Sequence, residues 1–208
     1  MIKHFNNNES FSCSLYILSS EKGNLLIDPG FYNKEIKNYI KSLGGLDAIL
    51  ITHGHWDHIY EINAIKKDNP EAKIYIHEKE KEFFYNPVLN GMSEEEIKSI
   101  SEITDINLFN EGKIKAGGYD VEIFHTPGHT AGSSIFWFKD ENVLFTGDFI
   151  LEEDIGRIDL PTSSRRDMFN SVEKFKKLEF PGDMKVYFGH CEHYFTYKEL
   201  MEINEYLR

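Results

Sequence analysis

An apolar strand at residues 47–52 (DAILIT) runs without a break into His53-Gly54-His55-Trp56-Asp57-His58. Three imidazoles and a carboxylate packed this closely beside an apolar run need a counter-charge or a cation. That demand restricts the fold to one that brings further polar groups to the end of this strand. Alternate residues of a strand project to one side, so His53 and His55 can reach one metal ion together. If the chain turns into a helix at Asp57, then Asp57 and His58 face another way, which suits two metal positions side by side. Gly54 lets the backbone make the turn without a Cβ clash.

Three more potential ligands each end an apolar strand, and each is preceded by a glycine: Gly128-His129 after VEIFHTP, Gly147-Asp148 after VLFT and Gly189-His190 after KVYF. A ligand set at a strand end by a glycine turn is anchored firmly yet exposed at the sheet edge, so the four sites are expected to converge on one rim. The remaining histidines, His4, His77, His125 and His193, read as surface or satisfied core residues.

Along the chain, short apolar strands are interrupted by helical segments. Strands are expected at 11–18, 24–28, 47–52, 73–77, 119–125, 133–139, 142–146 and 185–189. Helices are expected at 33–43, about 58–67, 165–178 and 196–207, the last capped by Thr196. Residues 78–110 read as charged and helical, with a capping box from Ser93 to Glu96, and form a helical insertion or flap. No Pro/Gly-rich linker divides residues 1–208, so a single domain is expected, of α/β or α+β class. The 16 Phe and 11 Tyr residues predict a core rich in ring packing.

The net charge of −12 and the absence of any Lys/Arg run longer than two argue against a nucleic-acid partner. No segment approaches the roughly 18 apolar residues that span a bilayer, and no signal peptide is evident, so no membrane association is expected. The two cysteines, Cys13 and Cys191, give no disulfide framework, which fits a cytoplasmic location. Cys13 reads as a small buried strand residue.

The order HGHWDH, TPGHT, TGD and FGH resembles the metallo-β-lactamase-fold hydrolases from about Ser14 to His190. Within that superfamily, the stretch from Gly147-Asp148 to Gly156-Arg157-Ile158-Asp159 is similar to the branch containing glyoxalase II (hydroxyacylglutathione hydrolase) and persulfide dioxygenase. The final helix, with Glu199 and Asn204, looks like that of short bacterial glyoxalase-II-like proteins. The resemblance implies a four-layer αββα sandwich with metals at one edge of the sheets. It further implies that His53, His55 and His129 hold one ion, that Asp57, His58 and His190 hold the second, and that Asp148 bridges them. β-Lactamases of this fold usually carry Cys where Asp148 stands, which argues against β-lactam hydrolysis as the main role.

Two divalent ions sharing a hydroxide make it a nucleophile at neutral pH. The expected activity is therefore a binuclear metal-dependent thioesterase or esterase of glyoxalase II type acting on a small molecule. Asp57 orients the hydroxide as a catalytic residue, and Arg157 pairs with a substrate carboxylate or, equally, with Asp159 or Glu153. Asp28 and Thr52 are candidate supports for the ligands, although Asp28 before Pro29 also reads as a plain turn residue. Zn²⁺ is the default for imidazole and carboxylate donors, and Fe or Mn accept the same set. The alternatives are an iron-dependent persulfide dioxygenase, a lactonase and a non-catalytic metal-binding module of the same fold.

Overall fold

Strands buried on both faces read as unbroken apolar runs, and the computed structural model places such runs at the centre of each of two sheets. It describes residues 1–6 and 13–208. Residues 11 and 12 of the first expected strand therefore lie outside the described residues. The first sheet has the order β1 (Ile2–Asn6), β2 (Ser14–Ser20), β3 (Gly23–Ile27), β4 (Ala48–Leu50), β5 (Lys73–His77) and β6 (Ile106–Phe109). The second runs β12 (Phe195–Thr196), β11 (Lys185–Tyr187), β10 (Val143–Phe145), β9 (Ser134–Phe138), β8 (Tyr119–His125) and β7 (Gly112–Ala116).

Side-chain alternation divides the apolar residues among three cores. Leu25, Ile27, Ala48 and Leu50 pack between the sheets against Phe136, Phe138 and Phe145. Their neighbours Leu26, Ile49 and Ile51 point outward, under the helices α1 (Lys34–Ser42), α3 (Ile62–Asp68) and α5 (Ile97–Ser101), which contribute Ile36, Ile40, Ile65 and Ile100. On the far side, Ile135, Leu144 and Val186 meet Met168, Val172 and Phe175 of α6 (Arg165–Phe175) and Leu200 of α7 (Tyr197–Ile203). Helices, sheet, sheet and helices form the αββα sandwich.

The register places the ligand-bearing loops together. β8 and β10 are each antiparallel to β9, and β11 is parallel to β10. Three ligand-bearing strands of the second sheet therefore end at one rim. In the first sheet β3 is parallel to β4, so Asp28 and His53 leave their strands on the same side. The Ser134 N–H donates to the Thr52 carbonyl at 3.1 Å and the Ser14 N–H to the Gly189 carbonyl at 2.6 Å, tying the rims of the two sheets together, while Gly189 donates to Gly147 at 2.8 Å within the second sheet.

Several local expectations need correction. The helix expected at 58–67 is two pieces, α2 (Trp56–Ile59) and α3, and residues 78–110 are not wholly helical. That segment holds a 3₁₀ turn (Glu78–Phe84), the short helices α4 (Pro87–Asn90) and α5, and then β6, an edge strand of the first sheet. β1, β7 and β12 also escape the sequence pattern. The caps are as expected: Thr196 and Glu199 form a capping box, and Ser93 exchanges hydrogen bonds with Glu96 ahead of α5. Among the described residues, no helix is long and apolar enough to cross a membrane.

Candidate metal centre

Seven side chains converge where these strands end. His53, His55 and His129 place one donor atom each within 4.8 Å of one another, as do Asp57, His58 and His190. His53, His58 and Asp148 form a third such group between them. His129 Nε2 lies 2.8 Å from His55 Nδ1 and 3.2 Å from His53 Nε2. His190 Nε2 lies 3.4 Å from His58 Nε2 and 3.2 Å from Asp57 Oδ2. The Asp148 carboxylate faces both groups, with Oδ2 3.5 Å from His129 Nε2 and 3.3 Å from His190 Nε2, and Oδ1 3.4 Å from His58 Nε2.

These spacings fit cation binding. Donors held at about 2.0–2.1 Å around one tetrahedral ion stand roughly 3.3 Å apart, close to most of the observed separations. Asp148 Oδ1 is buried with no hydrogen-bond partner among the described residues, as expected of an oxygen shaped for a cation. Gly189 makes room for it: a Cβ there would stand 2.0 Å from Asp148 Oδ1.

The two triads differ in charge. Burial lowers the pKa of His53 and His129, and brings His55 to about 3, so these imidazoles stay neutral with lone pairs available. Burial acts the same way on His58 and His190, but neighbouring carboxylates outweigh it. Asp148, Asp57 and Asp28 hold His58 well above its usual range, while Asp148 and Asp57 raise His190 to about 10. Burial likewise opposes ionisation of Asp148, yet His58 and His190 hold it well below the usual carboxylate range. The carboxylates thus call for positive charge at this spot, which a divalent ion supplies in place of protons.

An outer ring of acceptors orients the ligands. Thr52 Oγ1 donates to Asp28 Oδ2 at 2.7 Å, which leaves it to accept from His53 Nδ1 at 3.2 Å. His58 Nδ1 donates to Asp28 Oδ2 at 2.9 Å, and His129 Nδ1 to the Arg157 carbonyl at 2.8 Å. In each case the proton sits on Nδ1 and Nε2 is turned toward the centre. Asp28 also accepts from the Thr52 N–H at 2.8 Å, and its φ of 55° is a left-handed conformation that only a well-tied residue sustains. It is therefore both a turn residue and a support.

Sequence reasoning missed Glu80. This fully buried carboxylate accepts from the Gly54 N–H at 2.8 Å and from the Gly132 N–H at 2.6 Å, bracing the hexapeptide against the loop after His129. Phe83 completes the contact, since a Cβ on Gly54 would stand 2.4 Å from the Phe83 Cβ. Nothing in Glu78-Lys79-Glu80-Lys81-Glu82 distinguishes this one carboxylate from its solvated neighbours. His77 and His125 stack on each other at 4.3 Å, away from the centre, and His4 stacks on Tyr16 at 4.7 Å.

A cavity of about 590 Å³ opens over the centre and is lined by His55, Asp57, His129, Asp148 and His190. Val88 to Gly91 form one wall, so part of the 78–110 segment overlies the site. Arg157 lines the cavity too, but Asp159 takes its guanidinium, with Nε and Nη2 each donating to a carboxylate oxygen at 3.0 Å.

Comparison with known proteins matches the chain to one family and the fold to solved structures. Residues 9–190 match the family described as the metallo-beta-lactamase superfamily. A probable metallo-hydrolase of Streptococcus pyogenes is 33% identical over 181 residues, covering 84% of this chain and 77% of that protein. A hydroxyacylglutathione hydrolase, GloC of Haemophilus influenzae, is 32% identical over 182 residues, covering 86% and 84%. Among solved structures, one described as BLEG-1 B3 metallo-beta-lactamase superposes with a TM-score of 0.84 at 29% identity, covering 100% of this chain and 99% of that one.

Proposed function

The chain belongs to the metallo-beta-lactamase superfamily, and from that premise we propose that it is a hydrolase that uses two divalent metal ions to cleave thioester or ester bonds of a small molecule. The observation that carries this reading is the placement of Asp148 between two donor triads at coordination spacing. His53, His55 and His129 would hold one ion, Asp57, His58 and His190 the other, and Asp148 both. Zn²⁺ suits this imidazole and carboxylate set best. When bound, such a pair lowers the pKa of coordinated water and polarises a carbonyl oxygen.

The protein's own groups do the rest. Asp57 is 15% exposed at the cavity floor, where its carboxylate can accept a hydrogen bond from the attacking water and aim it. Burial raises the pKa of that carboxyl, but His58 and the hydrogen bond from His190 lower it further, so Asp57 stays ionised as an acceptor. Thr52, Asp28 and the Arg157 carbonyl keep the ligand imidazoles in the right tautomer. The likeness to a hydroxyacylglutathione hydrolase supports a thioester as the substrate bond. β-Lactam hydrolysis is the second reading, favoured by the full-length likeness to a structure described as a B3 enzyme and disfavoured by Asp148 in place of cysteine.

The test is a panel of acyl thioesters, aryl esters and β-lactams assayed with zinc-loaded protein and with His55→Ala. Cleavage of thioesters or esters that falls with the variant's metal content supports the proposal. Equal turnover by metal-depleted His55→Ala defeats it, and a preference for β-lactams moves the assignment to the second reading.

A further inference from the structure

Resting on the hydrolase reading above, we infer that the cavity selects uncharged substrates: thioesters or esters whose acyl and leaving groups are neutral and largely apolar. The walls around the metal-binding groups are formed chiefly by Trp56, Val88, Leu89, Leu151, Ile155 and Leu160. Outside the seven convergent side chains, Asp154 and Arg157 are the charged residues lining the cavity among the described residues.

Arg157 is the one cation of the wall among the described residues, and both oxygens of Asp159 accept from it in a two-bonded pair at the surface, with side chains 67% and 68% exposed. Asp154 offsets the Arg157 charge, so the wall carries no net positive charge, and Asp159 beside it adds a negative one. Beyond the ions of the hydrolase reading, a substrate carboxylate on this wall gives up water and meets no unpaired cation, whereas an apolar chain leaves water for apolar walls.

The walls are also fixed to the metal-binding loops. Asn90, fully buried, donates to the Phe83 carbonyl at 2.6 Å and accepts from the Met92 N–H at 2.9 Å, holding the Val88–Gly91 turn in place. Gly91 closes against the Trp56 ring, since a Cβ there would stand 3.2 Å from Cδ1. On the opposite side Ser163 Oγ donates to the His129 carbonyl at 2.7 Å and accepts from the Leu160 N–H at 3.2 Å. The apolar surface therefore keeps a set position relative to the reacting groups. Trp56 is 37% and Val88 71% exposed, so both present apolar surface to what enters the cavity they line.

Two thioethers that present the same hexyl chain and contain no cleavable bond test this directly: S-hexyl-N-acetylcysteamine, which is neutral, and S-hexylglutathione, which is anionic. Binding of each to zinc-loaded protein is measured by calorimetry. The expected result is tighter binding of the neutral ligand by at least roughly threefold, with the ratio narrowed in Asp159→Asn, which frees the Arg157 guanidinium. A smaller ratio, binding of neither ligand, or a ratio that Asp159→Asn leaves unmoved overturns the inference. The hexanoyl thioesters of the same two thiols are assayed alongside. Cleavage of neither defeats the hydrolase reading itself, whereas preferred cleavage of the glutathione thioester overturns only the charge selection.

Discussion

Glu80 pairs a buried carboxylate with two backbone N–H groups and no cation. Burial raises its pKa to about 7, although the hydrogen bonds from Gly54 and Gly132 act the other way. Between the ordinary value of 4.5 and about 7, the folded chain then binds more protons at this site than the unfolded chain. Its contribution to stability accordingly falls as pH rises through that window, by up to about 3 kcal/mol. Glu80→Gln is neutral throughout and should flatten this slope, while its amide, unable to accept at both N–H groups, costs about 1–3 kcal/mol overall. Urea midpoints of both proteins at pH 5 and pH 7.5 check the prediction, and parallel slopes would contradict it. At this scale the seven convergent side chains were legible in the sequence because each sits in a short, distinctive string. Thr52 was legible as a support because it directly precedes the hexapeptide, whereas Asp28 before Pro29 read equally as a turn residue, and it is both. Glu80 was not, because its role arises from a contact with Gly132, 52 residues away. The Arg157 carbonyl escaped for a related reason: a backbone acceptor for His129 Nδ1, 28 residues away, leaves no mark on residue type.

The elements that escaped sequence reading share one place in the fold. β1, β6, β7 and β12 are the four sheet edges, short and partly solvated, and β7 carries Lys113 and Lys115 toward solvent. An edge strand buries little on either face, so neither a continuous apolar run nor a clean alternation marks it. The central strands, buried on both faces, were legible for the opposite reason. Two substitutions probe elements rather than ligands. Asn33 caps α1 by accepting from the Ile36 N–H at 3.0 Å, and Asn33→Ala should cost about 1 kcal/mol in denaturant unfolding with metal content unchanged. Asn90→Ala leaves the buried Phe83 carbonyl and Met92 N–H without that partner. It should cost about 1–3 kcal/mol and raise KM more than it lowers kcat, because it loosens a wall and not the centre. A fall in kcat alone would count against the wall's role.

On the scale of the whole molecule, two sheets with all four ligand-bearing strands ending at one rim turn sequence-distant residues into one centre. The sandwich was legible from the order of motifs, whereas the meeting of the two rims depends on the Ser134–Thr52 and Ser14–Gly189 hydrogen bonds, which no pattern announces. Ions held as proposed would join loops from both sheets and should stabilise the fold as a unit. Chelation should lower the thermal midpoint, and an ion present at a thousand times its Kd contributes about 4 kcal/mol. Calorimetric scans with and without a chelator check this, and coincident midpoints would speak against ions held between the sheets. The most direct test of the central claim is elemental analysis of protein saturated with zinc and freed of excess. The account predicts two ions per chain, falling to one in His190→Ala. A single ion per chain in the unaltered protein, or none, would contradict it.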